Sequence, residues 1–256
     1  MDLSIYKKDI FSKYKSNSQR IRVLTENWIQ ESMFCPVCLN LNINSLPNNT
    51  PVADFFCPRC NEQFQLKSQK NNFGKKILDG AFQKMIESIQ KNLRPNFFLL
   101  HYNLDYYVNN LFLIPYFFFT ESIIEKRKPL SKTARRAGWI GCNISLDKLP
   151  PEGKIKIIEN GIVYNRRLIA SQWKKISFIR DTPLPERGWT VDVLRIVHSL
   201  GRKEFTLKEV YEYEEEFAKE HPSNYHIKAK IRQQLQILRD KGILKFKNRG
   251  NYLILR

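Results

Sequence analysis

Four cysteines in this chain of 256 residues form two CxxC pairs. Cys35 and Cys38 make the first pair, and Cys57 and Cys60 make the second after residues 39–56. Two such turns can place four thiolates in a tetrahedron, which is the geometry that Zn²⁺ prefers. Because four thiolates leave no open coordination position, the pattern predicts a structural zinc ion. The remaining cysteine, Cys142, stands alone and is predicted to be a small core residue.

Three residues around the second pair have the types and spacing of a metal-dependent nuclease site. Asp54 comes shortly before Cys57, and Gln65 and Lys67 lie two apart after Cys60, so in a strand these two share a face. In the PD-(D/E)xK pattern, two acidic residues hold Mg²⁺ and the lysine positions or activates the attacking water. The pattern predicts Asp54, Gln65 and Lys67 as the catalytic set, with Asp54 and Gln65 as magnesium ligands. The alternative is an ordinary solvated surface, which the motif alone does not exclude.

The charge and two basic segments favour DNA as the partner. The formal net charge is +18, from 43 Lys and Arg against 25 Asp and Glu, and such an excess favours a polyanion. A helix is predicted over 225–241, with an apolar stripe of Ile227, Ile231, Leu235 and Leu238. The residues outside this stripe include Arg and Gln, whose side chains can read base edges. The predicted DNA-binding residues are Lys228, Arg232, Gln233 and Gln236 on this helix, Lys247 and Arg249 in the hairpin after it, and Arg135, Arg136 and Trp139 in a basic loop.

Hydrophobic periodicity predicts the elements that position these residues. The predicted elements are a helix over 17–32, strands over 51–57 and 63–68, a helix over 76–92, and strands over 96–102, 111–115, 155–158 and 162–164. A Pro-rich stretch near residue 183 indicates a domain boundary. Beyond it, three helices and a hairpin with its turn at 248–250 outline a winged helix, whose second helix begins with a capping box of Thr206 and Glu209.

These elements predict an α/β fold with two domains. Residues 1–182 are expected to form a PD-(D/E)xK nuclease domain with an inserted zinc site of four cysteines. Residues 183–256 are expected to form a small α+β winged-helix domain that binds DNA. The longest apolar run, 111–119, contains Pro115 and is too short to cross a bilayer, and no secretory signal is visible. We therefore expect a cytoplasmic protein that is a monomer and has no membrane partner.

Long stretches of the chain resemble the methyl-directed restriction endonucleases of the DpnI type. The matching stretches are YKSNSQ, CPVC…PVADFFCPRC…QLKS, KPLSKTARRAGWIGCNI, FTLKEVYEYE and HIKAKIRQQLQILRDKGILKFKNRG. The resemblance implies Mg²⁺-dependent cleavage of double-stranded DNA at GATC when the adenine carries an N6-methyl group. It also implies a structural zinc and a winged helix that reads the methylated site. Asp54 and Lys67 match motif residues of this family, and Trp139 matches an aromatic residue that probes the methyl groups.

One position departs from the pattern of this family. The motif has Glu where this chain has Gln65, and a neutral amide lacks the charge that Mg²⁺ favours in its ligands. The residues leave open whether this glutamine is natural divergence or a deliberate change. We therefore expect a type II site-specific deoxyribonuclease that is slowed or inactive. Glu62 is expected to point to the other face of the strand, and Glu26 on the first helix is a further candidate ligand that the sequence does not place.

The rival interpretation is a non-catalytic, zinc-containing winged-helix DNA-binding regulator. A regulator has no need of Asp54 and Lys67 facing each other across a hairpin. Metal-dependent nicking of DNA therefore distinguishes the two functions.

Overall fold

The computed structural model describes residues 1–47, 50 and 52–255. Close backbone contacts divide the chain into two compact units that alternate along the sequence. Unit 1 consists of Met1–Gly74, Leu93–Tyr116 and Gly153–Lys174, and unit 2 consists of Lys75–Asn92, Phe117–Glu152 and Lys175–Arg256. Within the described residues, no helix has both the length and the apolar character needed to cross a membrane.

The helices and strands follow one another along the chain in three groups. The first group is α1 (Lys8–Lys13), α2 (Asn17–Ser32), β1 (Asn44–Ser45), β2 (Phe55–Phe56) and β3 (Gln63–Gln69). The second group is β4 (Lys76–Ala81), α3 (Phe82–Gln90), β5 (Asn96–Tyr102), β6 (Val108–Ile114), β7 (Ile124–Lys126), β8 (Gly141–Ser145), β9 (Ile155–Glu159), β10 (Ile162–Val163) and α4 (Arg166–Ile176). The third group is α5 (Leu184–Ser199), β11 (Glu204–Thr206), α6 (Leu207–Tyr211), α7 (Glu214–Glu220), α8 (Ile227–Asp240), β12 (Leu244–Asn248) and β13 (Asn251–Ile254).

Unit 1 is built around a mixed sheet of seven strands in the order β1-β2-β3-β5-β6-β9-β10. Strands β3 and β5 run parallel, and the other neighbours are antiparallel. Every residue of β5 is buried, which explains its continuous apolar run, since a strand covered on both faces does not alternate. Helix α2 buries Leu24, Trp28 and Ile29, and Thr25 donates a hydrogen bond of 3.2 Å to Ser68 on β3. This contact fixes α2 beside the strand that carries Gln65.

Unit 2 contains two small sheets, each of three strands. One has the order β4-β8-β7 and lies with α3, and the other has the order β11-β13-β12 and lies with α5 to α8. The four helices α5 to α8 followed by a β-hairpin give the outline of a winged helix, with one helix more than the three that the sequence predicts. The capping box is confirmed, because Thr206 accepts a hydrogen bond from the Glu209 N–H at 3.2 Å and Glu209 accepts one from the Thr206 N–H at 2.8 Å.

Two of the predicted elements differ from the structure. The helix predicted over 76–92 is wrong in its first part, where β4 pairs with β8 before α3 begins at Phe82. Gly80 is a poor helix former, and Ile77 is buried while Leu78 is exposed, which is the alternation of a strand. The strand predicted over 51–57 is limited to β2, and Pro51 lies outside the described residues. Neither β8 nor α4 was identified from the sequence.

Candidate metal centres and nucleic-acid interface

The sulfur atoms of the two CxxC pairs converge at one point in unit 1. Cys35 Sγ lies 3.6 Å from Cys60 Sγ, and Cys38 Sγ lies 3.5 Å from Cys57 Sγ. All four sulfur atoms lie within 4.8 Å of one another. A tetrahedral zinc with Zn–S bonds of about 2.3 Å requires S···S distances of about 3.8 Å, so the cluster has the dimensions of a zinc site.

The two CxxC turns share one backbone shape. The Cys35 carbonyl accepts a hydrogen bond of 2.9 Å from Leu39, and the Cys57 carbonyl accepts one of 2.9 Å from Asn61. Leu39 and Asn61 both adopt the left-handed conformation, with φ of 62° and 59°. A left-handed leucine is unfavourable outside a structure that demands it, so the turn that presents the first cysteine pair is held in place by its surroundings.

Burial and backbone amides act in opposite directions on these thiols. Burial would raise the pKa of Cys57, but N–H hydrogen bonds from Cys60 and Arg59, together with hydrogen bonds with the Cys38 and Cys60 thiols, lower that pKa to about 7. Burial raises the pKa of Cys60 to about 12 and raises the pKa of Cys35 further. Because only the thiolate is a good metal ligand, a divalent cation would supply the charge that offsets this burial. The residues therefore fit a zinc ion.

A cleft of about 500 Å³ in unit 1 brings Asp54 and Gln65 together. Asp54 Oδ2 accepts a hydrogen bond of 2.7 Å from the Leu66 N–H, and the Asp54 N–H donates one of 2.9 Å to the Phe64 carbonyl. Asp54 is thereby attached to β3 on either side of Gln65, which fixes its carboxylate through one oxygen. The turn between Asp54 and β3 is the second CxxC turn, so the cysteine cluster braces both sides of this site.

Glu26 of α2, which the sequence did not place, lines the same cleft. Its Oε1 lies 2.7 Å from Arg22 Nε, and its carboxylate, with a smaller contribution from Asp54, raises the pKa of the Arg22 guanidinium. The i,i+4 spacing shows that Arg22 and Glu26 are neighbours on a helix, but it does not show what that helix faces. Carboxylate and amide oxygens are ligands that Mg²⁺ accepts, so Asp54, Gln65 and Glu26 are the residues of this cleft that could hold a magnesium ion.

Lys67 and Glu62 do not belong to the described lining of this cleft. Lys67 lies half-buried on β3, with Nζ 5.7 Å from the centre of the Phe97 ring. Glu62 accepts a hydrogen bond of 2.8 Å from Asn96 Nδ2. Of the three proposed catalytic residues, the structure therefore places Asp54 and Gln65 at one cleft and Lys67 beside it on the same strand.

Helix α8 separates its apolar stripe from its polar face. The stripe of Ile227, Ile231, Leu235 and Leu238 is buried, as the periodicity predicts. Gln234 is also buried and accepts a hydrogen bond of 2.7 Å from Thr190 on α5. The exposed residues of this helix include Lys228, Arg232, Gln233 and Gln236.

Acidic neighbours pair with some of the exposed cations around α8. Lys228 Nζ lies 2.9 Å from Glu214, and Lys247 Nζ on β12 lies 2.8 Å from Glu204. Arg249 is exposed in the turn between β12 and β13, where Gly250 has a φ of 78°. Because surface ion pairs contribute little to stability, a phosphate can replace these partners at low cost.

The basic loop between β7 and β8 belongs to unit 2. Arg135 and Arg136 are exposed, and Trp139 is half-buried with the Arg136 guanidinium carbon 4.8 Å from the centre of its ring. A guanidinium over an indole is a favourable cation–π pair. The structure therefore places Arg136 and Trp139 together.

The chain matches known protein families over most of its length. The model of the Dam-replacing family (DpnI) matches residues 1–182. The model of the Dam-replacing HTH domain (DpnI_C) matches residues 185–253, which contain α5 to α8 and the hairpin. The resemblance to DpnI-type methyl-directed endonucleases is confirmed. This chain therefore belongs to the Dam-replacing (DpnI) family of DNA-cleaving nucleases, and it also contains the Dam-replacing helix-turn-helix domain.

Proposed function

We propose that this chain is a Mg²⁺-dependent type II endonuclease that recognises and cleaves N6-adenine-methylated GATC in double-stranded DNA. The observation that carries the proposal is the cleft that holds Asp54, Gln65 and Glu26 beside the cysteine cluster, in a member of a nuclease family. Residues 1–182 act as a catalytic domain of the PD-(D/E)xK type, and residues 183–256 act as a winged-helix DNA-binding domain. The protein acts as a monomer, with a structural zinc at the four cysteines.

Asp54 and Gln65 of the cleft and Lys67 beside it have distinct roles in this mechanism. Asp54 and Gln65 offer oxygen ligands to the metal, and the Leu66 N–H keeps the Asp54 carboxylate in place. When bound, Mg²⁺ polarises the scissile phosphate and lowers the pKa of a water molecule. Lys67 donates a hydrogen bond that positions the attacking water. Because the hydrogen bond from the Leu66 N–H already fixes the Asp54 carboxylate, this ligand would need little reorganisation when the metal binds.

DNA recognition uses two surfaces of unit 2. Arg232, Gln233 and Gln236 on the exposed face of α8 contact base edges, where Arg pairs with guanine and Gln with adenine. Lys228, Lys247 and Arg249 contact phosphates, which orient the protein but carry no sequence information. Arg135 and Arg136 hold the DNA backbone, while Trp139 contacts the N6-methyl groups.

Gln65 lowers the cleavage rate of this chain in our proposal. Asp54 supplies one negative charge, and the second carboxylate of the cleft, Glu26, is already paired with Arg22 at 2.7 Å. The amide at position 65 leaves the metal less neutralised than a second free carboxylate would, because hard cations favour charged oxygen ligands. The lack of a second free carboxylate in the described lining of the cleft also favours the second candidate function, a non-catalytic, zinc-containing winged-helix DNA-binding regulator.

Plasmid DNA from adenine-methylating and non-methylating hosts tests the proposed function. We expect slow cleavage of the methylated plasmid in the presence of Mg²⁺, no cleavage after EDTA, and no cleavage of the unmethylated plasmid. Asp54→Ala is the control, because it removes the fixed carboxylate and should abolish cleavage while methylated DNA is still bound. Methyl-specific binding without any cleavage, even in Gln65→Glu, would support the regulator and overturn the endonuclease.

A further inference from the structure

The indole of Trp139 lies against the backbone of Gly141, two residues further along the chain. A Cβ atom built on Gly141 would lie 2.7 Å from Cη2 and 2.8 Å from Cζ3 of the Trp139 ring. Both distances are shorter than the 3.5–4.0 Å at which carbon atoms make their best contacts. The Trp139 ring therefore occupies the space that the Cβ atom of any other residue at position 141 would fill.

One arginine side chain lies over this ring, and a second lies close to Gly141. The Arg136 guanidinium carbon is 4.8 Å from the centre of the ring, and Arg127 Nη1 is 3.3 Å from the position of the added Cβ. The Trp139 indole thus has a defined seat formed by the Gly141 backbone, Arg127 and Arg136. We call this arrangement the indole seat.

Backbone hydrogen bonds close the loop that carries the indole seat. Leu130 donates to the Trp139 carbonyl at 3.0 Å, Arg127 donates to the Gly141 carbonyl at 3.0 Å, and Trp139 donates to the Arg136 carbonyl at 3.1 Å. Gly138 lies in the left-handed region, with a φ of 76°, and donates to the Leu130 carbonyl at 3.1 Å. The loop is therefore formed before DNA arrives, and binding need not order it.

We propose that Gly141 is a positioning residue for methyl recognition, because it sets the place of the Trp139 ring. This inference rests on the proposed function, in which Trp139 contacts the N6-methyl groups. A gap of about 0.5–1 Å between an aromatic ring and a methyl group already loses a quarter to a half of their dispersion attraction. Alanine at position 141 forces a displacement of that order, so it should weaken the preference for methylated DNA without removing the tryptophan.

Alanine at Gly141 brings no backbone strain of its own. Its φ lies outside the left-handed region, so the contact with the Trp139 ring is the main consequence of the added methyl group. Gly80 provides a matched control, because it lies on the neighbouring strand β4, also has no left-handed φ, and a Cβ there meets nothing within 4 Å.

The test measures dissociation constants of the full chain for GATC duplexes of one sequence, with and without N6-methyladenine, in the absence of Mg²⁺. The proteins are the chain itself, Gly141→Ala, Gly80→Ala, Trp139→Ala, and the double variant of Trp139 and Gly141. Gly141→Ala should lower the ratio of the constant for unmethylated DNA to that for methylated DNA by about 1.4- to 2-fold for each methyl contact, since a contact that is lost completely corresponds to about fourfold. Gly80→Ala should keep the ratio, and Gly141→Ala should add nothing once Trp139 is alanine.

The outcomes separate the inference from the function on which it rests. A starting chain with no preference for methylated DNA would overturn the proposed function, and this inference with it. A starting chain with a preference that Gly141→Ala retains would overturn the inference alone. A further loss when Gly141→Ala is added to Trp139→Ala would also overturn it, because the effect would then not pass through the indole. Thermal melting curves of Gly141→Ala and of the starting chain distinguish displacement of the ring from unfolding, because only unfolding removes the melting transition.

Discussion

Replacing Gln65 by glutamate tests whether the cleft lacks one negative charge. Asp54 carries one charge, and the charge of Glu26 is compensated by Arg22 at 2.7 Å, so the described lining of the cleft has a formal charge of −1. Glutamate at position 65 brings this to −2, which matches a divalent cation. We expect cleavage to become faster by about a hundredfold or more, equivalent to roughly 3 kcal/mol of barrier. DNA affinity without metal should change little or fall slightly, because the new charge lies near phosphate.

Single-turnover cleavage of methylated DNA at saturating Mg²⁺ measures this effect without product release. Gln63→Glu is the matched control, since Gln63 is exposed two residues earlier on β3 and is not part of the described lining of the cleft. The added charge should have little effect there. Equal rates for the chain and its Gln65→Glu variant would show that the amide is a competent ligand and would refute the charge argument. An equal gain from Gln63→Glu would refute the assignment of the effect to metal ligation.

Four further substitutions test the zinc site, the packing of helix α8 and its polar face. Cys57→Ser removes one ligand of the cysteine cluster, so the far-ultraviolet circular dichroism of the protein should decrease and its zinc content should fall from about one ion per chain, since metal binding and folding are coupled. Leu235→Ala should lower the free energy of unfolding by roughly 2–5 kcal/mol, because this side chain is fully buried, whereas the exposed Arg232→Ala should weaken DNA binding and leave the melting temperature nearly unchanged. Thr190→Val should cost about 1–3 kcal/mol, because it leaves the buried Gln234 oxygen without its donor at 2.7 Å, and it should not change DNA affinity.

Each of these expectations has a result that contradicts it. A zinc-free protein that keeps its circular dichroism and melting transition would exclude a structural zinc. Unfolding by Arg232→Ala would show that the polar face of α8 is assigned to the wrong side. A Thr190→Val variant with unchanged stability would show that the Gln234 amide finds another partner.

Local sequence patterns predicted the elements whose contacts are local. Helix α2 occupies 17–32 as predicted, and the stripe of α8 is buried, because both depend on apolar residues repeating within one helix. The capping box at Thr206 is equally local, since both partners lie within one turn. By contrast, β4 was mistaken for helix, because its strand character depends on pairing with β8 more than 60 residues later.

The candidate site shows the same difference between local and distant contacts. The cysteine pairs were recognised from spacing alone, because each CxxC turn is a local structure. Glu26 was not placed, because its position at the cleft depends on the packing of α2 against β3, which the Thr25–Ser68 hydrogen bond reports. The indole seat was not predicted either, although Trp139 and Gly141 are only two residues apart, because the spacing of a tryptophan and a glycine does not show that the ring lies against the glycine backbone.

The alternation of the two units along the chain has a consequence for biosynthesis. The sheet of unit 1 needs β9 and β10, which end at Val163, and unit 2 needs segments on both sides of them. On the ribosome, residues 75–92 and 117–152 emerge before their partners in 175–256, and a chain grows by only about 5–20 residues per second. Neither unit can finish folding from a contiguous stretch of newly made chain. Nascent chains that end before Val163 therefore lack the complete seven-stranded sheet around which the cleft of Asp54 and Gln65 is built.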